Sequence, residues 1–214
     1  MEAPSERTRV RRHHERGVYD RDTIHAILDE ALFCHLAVIV DGAPRTIPTI
    51  HARIDDTLYV HGSNASRTLR ALKDGSEACA VVTLLDGLVL SRSAFGHSMN
   101  YRSVMVYGVP REVTDPDEKW EAQRALVDHV IPGRSADTRM PNEKELRQTT
   151  ILALSLAEAS AKVRTGPPKD EDEDFELPFW AGEVPLRTIA DEPVPDPRLP
   201  EGIEPPGYAR RYRR

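Results

Sequence analysis

Apolar residues along this chain keep two rhythms, one of period two and one of period near four. Ile24, Ile27, Leu28 and Ala31 fall at helical spacing after Asp20 and Asp22, either of which can cap the start, so a helix is predicted over 20–31. The run CHLAVIV (34–40) reads as a strand, and Asp41-Gly42 after it is a hairpin turn. Residues 45–54 continue the β rhythm but contain Pro48, which donates no ladder hydrogen bond and so calls for an edge or a bulge. Asp55-Asp56 turns the chain into the strand LYVHG (58–62), and a short helix from Ser66 to Leu72 stops at Asp74-Gly75. Two β runs, 77–85 and 88–94, are predicted to join at Asp86-Gly87, and a third covers 101–113. Pro116 opens a helix that ends before Pro132-Gly133. Asn142 and Glu145 form a capping-box pattern, and ILALSLA (151–157) is the last clear strand.

About six strands in hairpin order, without regular crossover helices, predict a mainly β fold: an antiparallel β-barrel with peripheral helices. The organisation predicted is a polar lead-in (1–19), one domain (20–186) and a disordered tail rich in proline and charge (187–214). The net charge of −6 leaves no global basic field for nucleic acid or an anionic membrane. No apolar segment has the length of a membrane span, and the basic N-terminus lacks the apolar run of a signal peptide. Cys34 and Cys79 sit in apolar surroundings, outside any C-x-x-C pair, and read as buried reduced thiols. A cytoplasmic protein without nucleic-acid or membrane partners is the expectation.

The segment HGSNASR (61–67) is the first candidate for chemistry. A helix beginning near Ser66 exposes backbone N–H groups, Gly62 permits close approach, Ser63 and Ser66 bring hydroxyls, and Arg67 brings a planar fork for phosphate oxygens. His61 borders this cradle. The same residues also suit a capped helix with a solvated arginine, and neither reading is excluded by the local sequence. In HSMNYRSVMVYG (97–108), Tyr101, Ser103, Met105 and Tyr107 share one strand face, and Arg102, Val104 and Val106 the other. The first face suits the wall of a pocket for a planar polar ring, or an ordinary core edge. The eight histidines show neither H-E-x-x-H nor zinc spacing, so no metal site is predicted. G-x-S-x-G is absent as well. The acidic run DEDEDFE reads as a solvated loop, and Trp180 in LPFWAG as a hydrophobic plug or an aromatic lid.

The ordered motifs RGVYD (16–20), TIHAILDEA (23–31), IPT (47–49), LYVHGSNASR (58–67), TLLDGLVLSRSAF (83–95) and HSMNYRSVMVYG (97–108) resemble the pyridoxamine 5′-phosphate oxidase-like flavoproteins. The similarity is to their nitroimidazole-resistance branch and extends through ASAKVRTGPP (159–168) and WAGEVPL (180–186). The resemblance implies an FMN-binding split barrel, a homodimer with FMN at its interface. It also implies roles: Ser66 and Arg67 on the FMN phosphate, with His61, Gly62 and Ser63 at the same end. Pro48 and Thr49 match the strand whose backbone would face the isoalloxazine ring, Asn100, Tyr101 and Ser103 match the segment that would reach the ribityl chain and ring, and Trp180 is a further candidate cofactor contact. The chain departs from true pyridoxamine phosphate oxidases in lacking a placeable C-terminal arginine motif, which argues against vitamin B6 oxidation. A micromolar cofactor requires about 8 kcal/mol, and charge-assisted hydrogen bonds supply about 1.5–3 kcal/mol each before association losses. Ring burial must therefore add to the phosphate end. The expected activity is reduction of a small electron-poor substrate, a nitro compound or quinone, with His61 or His97 as the proton source. The alternatives are a flavin-binding module without turnover, and a split barrel that binds haem or a deazaflavin.

Overall fold

The structure, a computed structural model, describes residues 2–213. Its strands are β1 (Gly17–Val18), β2 (Phe33–Val40), β3 (Ala43–Ile54), β4 (Thr57–Ser63), β5 (Ala78–Leu90), β6 (Ser98–Gly108), β7 (Arg111–Glu112), β8 (Thr149–Ser155), β9 (Ala159–Arg164) and β10 (Gly182–Pro185). The helices are α1 (Arg21–Glu30), α2 (Arg67–Lys73), α3 (Pro116–Val130), α4 (Glu143–Gln148) and α5 (Gly207–Arg210). The strand order is β1-β9-β6-β5-β2-β3-β4-β8-β7, with β10 added on β5, and every pairing is antiparallel.

Strand β3 divides this sheet into two sections. Its first part (43–50) pairs with β2, and its last four residues (51–54) pair with β4. Pro48 lies opposite His35 of β2, where β3 has that one neighbour, so its missing N–H breaks no ladder. The inner faces of the two sections meet in one core. Leu36, Val38, Val82, Val104 and Val106 come from the first section and Leu58, Val60, Leu152 and Leu154 from the second, closed by α1 and α2. A smaller cluster of Tyr59, Ile151, Ala153, Val113 and Ala122 fixes α3 to the far side of the second section. The outer face of the first section carries no such helix.

Local signals place the helices. The carboxylates of Asp20 and Asp115 and the hydroxyl of Ser66 each accept the N–H three residues on, and Asn142 with Glu145 completes a capping box. Asp41 and Gly42 both adopt positive φ, 52° and 74°, as a tight hairpin requires.

Two predicted strands, 77–85 and 88–94, prove to be one. β5 runs unbroken through Asp86-Gly87, with a bulge against β6 between Leu85 and Gly87. The Asp86 carboxylate accepts from Arg102 Nε at 2.9 Å, and a Cβ at Gly87 would stand 3.1 Å from the Val184 carbonyl of β10. The glycine here admits a crossing strand rather than a reversal. Among the described residues no strand forms beyond 187. The chain has no regular structure until α5, where Tyr208 donates to Asp137 at 2.6 Å and accepts from Arg134 at 3.0 Å. Among the described residues no helix is long and apolar enough to cross a membrane.

Candidate functional site

The residues singled out in sequence fall into two groups on different parts of the sheet. The first surrounds the β4–α2 turn. Ser66 Oγ accepts from Leu69 N–H at 3.3 Å, Ser63 Oγ accepts from Ala65 N–H at 3.2 Å, and the Ser63 carbonyl accepts from Ser66 N–H at 2.9 Å. Both hydroxyls cap backbone and keep their own protons to donate. The turn is anchored by Asn64, which the motif reading passed over: its amide donates to the Arg147 carbonyl and accepts from Thr150 Oγ1, both at 2.7 Å. Arg67 reaches across to Asp41 at 2.8 Å, and both side chains are largely exposed. Such a surface pair contributes about 0–1 kcal/mol, so a phosphate can compete for the guanidinium.

Gly62 and His61 turn to opposite sides of β4. A Cβ on Gly62 would meet Leu69 Cδ1 at 2.7 Å, so this glycine makes room for the core side of α2. His61 lies opposite Ile151, on the face that α3 covers. Burial lowers its pKa, and its Nδ1 is buried without a hydrogen-bond partner. The imidazole is therefore neutral. His97 stands apart at the start of β6, exposed, with Nδ1 3.0 Å from the Ser93 carbonyl.

The second group lies on the first sheet section. Register aligns Pro48, His35, Val81 and Met105 in one row across β3, β2, β5 and β6 on the open face. Ser103, opposite Thr83, and Tyr101, opposite Leu85, share that face, as do Phe33 and Ile50. It is unusually apolar for an open surface: Phe33 is 50% exposed, Leu85 45%, Ile50 38% and Met105 38%. His35 stands edge-on to Phe33 at 5.5 Å. Thr49, by contrast, is opposite buried Cys34 and faces inward. Burial pushes the Cys34 thiol up to about 12, so it stays protonated.

Asn100 also points away from this face. It is buried, donates to Glu183 Oε2 at 2.5 Å and accepts from Arg164, whose guanidinium also reaches the Gly166 and Pro167 carbonyls at 2.9 and 3.1 Å. Trp180, 67% exposed, packs its ring on Gly182, next to where β10 joins β5. Two surface concavities, lined by Gln123, Val127 and Arg139 and by Asp128, His129 and Tyr212, lie along α3.

The split barrel agrees with the comparisons. Residues 20–163 match the family model described as pyridoxamine 5′-phosphate oxidase. The chain belongs to that family. The flavocytochrome Anf3 from Azotobacter vinelandii is 42% identical, with a TM-score of 0.92 over 98% of this chain and 97% of its own. A FAD and heme binding protein from Mycobacterium smegmatis is 38% identical, with a TM-score of 0.87 over 91% and 96%. A candidate 5-nitroimidazole antibiotic resistance protein from Bacteroides thetaiotaomicron shares the fold at 22% identity, with a TM-score of 0.58 over 69% and 86%. No curated protein matches the chain in sequence.

Proposed function

We propose that this chain is a flavin- and haem-binding oxidoreductase that works as a homodimer in the cytoplasm. The observation that carries this reading is the end-to-end match, at 42% and 38% identity, to a flavocytochrome and to a FAD and heme binding protein. The nitroimidazole-type neighbour speaks for the fold alone at 22%. The second of these relatives, a FAD and heme binding protein, favours FAD over the FMN expected from one phosphate cradle, and FMN is the alternative.

The residues present fit a flavin. The row of Pro48, His35, Val81 and Met105, flanked by Phe33 and Tyr101, offers a flat apolar surface for a ring system. Ser63, Ser66 and Arg67 keep donors for a phosphate. Along the sheet order, four strand steps, from β6 across β5, β2 and β3 to β4, separate Tyr101 from the cradle, about 19 Å at strand spacing. A second copy laid on the open face would bring one protomer's cradle to its partner's ring surface and cover Phe33, Leu85 and Met105.

The residues also fit a haem. Its iron takes an imidazole ligand, and two histidines are candidates. His35 stands on the open face, and His61 is held neutral by burial with an unbonded Nδ1. His51 and His129 instead have Nε2 within 2.8 and 2.7 Å of the Leu28 and Ala31 carbonyls. A flavin supplies hydride and single-electron chemistry and a haem one-electron chemistry. The chain's part is to orient the groups, exclude water from the ring and keep the buried His61 imidazole neutral. The acceptor we assign is a small electron-poor molecule such as a quinone or nitro compound.

The visible spectrum of freshly purified protein tests this reading, with released cofactors identified by mass. Flavin and Soret bands together, with FAD in the released fraction, are expected. A protein that takes up neither flavin nor haem when both are added overturns the reading. Haem without flavin would restrict it to a haem protein. Reduced protein should also be reoxidised by quinones faster than free reduced flavin; equal rates would leave a binding module without turnover.

A further inference from the structure

The C-terminal residues fold back onto the molecule far from the cradle, at a place the cofactor reading leaves without a role. Residues 187–206 form neither helix nor strand and are mostly exposed, and α5 then brings two tyrosines to α3 and the turn after it. Tyr208 donates to Asp137 at 2.6 Å and accepts from Arg134 at 3.0 Å, and its ring lies on Gly133, with Cδ1 3.8 Å from where a Cβ would stand. Tyr212 shares a concavity with Asp29, Asp128, His129 and Pro132. The segment is tied to itself as well: Arg210 donates to the Pro205 carbonyl at 2.9 Å and to Glu204 at 2.6 Å. It can therefore dock or leave as a unit.

What it docks on leads straight to the place where the sheet divides. His129 Nε2 lies 2.7 Å from the Ala31 carbonyl, and its ring is 4.6 Å from that of His51. His51 is fully buried, with Nε2 2.8 Å from the Leu28 carbonyl. It is the first β3 residue paired with β4, opposite Val60, whereas Ile50 before it is paired with β2, opposite Phe33. The two imidazoles thus hold both ends of one rung of the open face: His51 adjoins Ile50, and Ala31 is two residues before Phe33. Asp29, in the same concavity as Tyr212, adds a tie to β3 by accepting from Arg53 Nε at 2.9 Å. A contiguous set of packed and hydrogen-bonded groups is what can carry a coupling between two places in a fold.

The docking is also weak enough to be undone. The contacts of Tyr208 are solvent-exposed, and such contacts add little stability. The Tyr212 hydroxyl is buried with no hydrogen-bond partner among the described residues, which costs free energy in the docked state. We propose that residues 207–213 are a releasable latch that, through His129 and His51, sets the Phe33–Ile50 rung of the open face. Docked, the latch holds the rung in place; released, it loosens the rung. The consequence for cofactor binding rests on the flavin reading, which puts the flavin ring beside this rung.

Hydrogen exchange of the full-length protein, followed by mass spectrometry, tests the latch alongside FAD titration of flavin-depleted protein. Tyr208→Phe removes both hydrogen bonds to the turn, and Tyr212→Ala removes the ring from the concavity. Each should speed exchange about tenfold in 207–213 and also in 33–36 and 47–50. Tyr212→Phe, which deletes only the unpaired hydroxyl, should slow exchange in the same segments. Residues 103–106, on the far side of the first sheet section, should exchange as in the wild type in all three variants. FAD affinity should fall several-fold in the first two variants. Faster exchange in 207–213 with an unchanged rung overturns the coupling, and an equal rise in 103–106 overturns it too, because that would be a general loss of stability. Free exchange of 207–213 in the wild type overturns the latch itself. Coupled exchange with unaltered FAD affinity would keep the latch and bring down the placement of flavin on this face instead.

Discussion

The β4–α2 turn and the β6 strand both carry residues assigned to one cofactor, yet they are built on different terms. At the turn, Ser63 and Ser66 cap backbone amides two and three residues away, and Arg67 pairs with an exposed aspartate. These contacts are local, solvated and easily exchanged. Along β6, Tyr101 and Ser103 are set by cross-strand register, and between them Arg102 clamps Glu30 of α1 and Asp86 of β5. Those two carboxylates, Glu30 first, raise the Arg102 pKa and keep it charged at any working pH. The turn can adapt to a ligand at low cost. The strand offers a rigid surface whose shape is decided by partners up to 72 residues away. A site made of one adaptable end and one fixed end lets affinity come from the first and orientation from the second.

The substitution expected to separate the two regions most is Met105→Asp. Met105 is partly exposed on the open face, so a single chain should tolerate the change, whereas an interface that buries it would gain an uncompensated charge costing about 3–5 kcal/mol. Sedimentation should show dimers for the wild type and monomers for the variant. A variant that stays dimeric would show that the first sheet section is not the contact.

Arg67→Ala probes the adaptable end. Flavin affinity should fall by about 1.5–3 kcal/mol, one to two decades, while the melting temperature barely moves because the pair with Asp41 is solvated. Unchanged flavin titration would return Arg67 to a surface role.

Asn100→Ala should do the reverse. It leaves buried Arg164 short of an acceptor and Glu183 short of a donor, so denaturant unfolding should show a loss of about 1–3 kcal/mol. If stability is unaffected and only flavin affinity drops, Asn100 is a ligand contact after all and the inward network is secondary.

The smallest effect expected is in pH dependence, and it belongs to His61. Its folded pKa lies below the ordinary value of 6.5 because burial disfavours the imidazolium. The unfolded chain therefore binds the proton first, and stability is full above that value and lost as pH falls through the folded pKa. The slope is at most about 1.4 kcal/mol per pH unit for one proton. Unfolding curves between neutral and mildly acid pH should lose that increment in His61→Gln. His25, also lowered mainly by burial, is the internal control that should persist.

Much of the fold was legible in the residues themselves. Caps at Asp20, Ser66, Asp115 and Asn142, the Asp41-Gly42 turn and the alternation in 34–40 and 101–107 each depend on neighbours within four positions or on a period of two. The same alternation correctly divided Tyr101, Ser103 and Met105 from Val104 and Val106. Three assignments needed the folded chain. Asp86-Gly87 carries a strong turn signal, but continuous pairing with β6 and the approach of β10 make it a bulge. Gly62 looked like room for a ligand and is room for Leu69. Asn100 sits among site-like residues but joins Arg164 and Glu183, 64 and 83 positions away. Hydrogen bonds within a turn and side-chain periodicity are properties of a few consecutive residues, so the sequence determined them by itself. Which way a polar side chain turns, and which charges share an edge, depend on strand pairings between segments far apart in the chain, and those were decided by the tertiary structure alone.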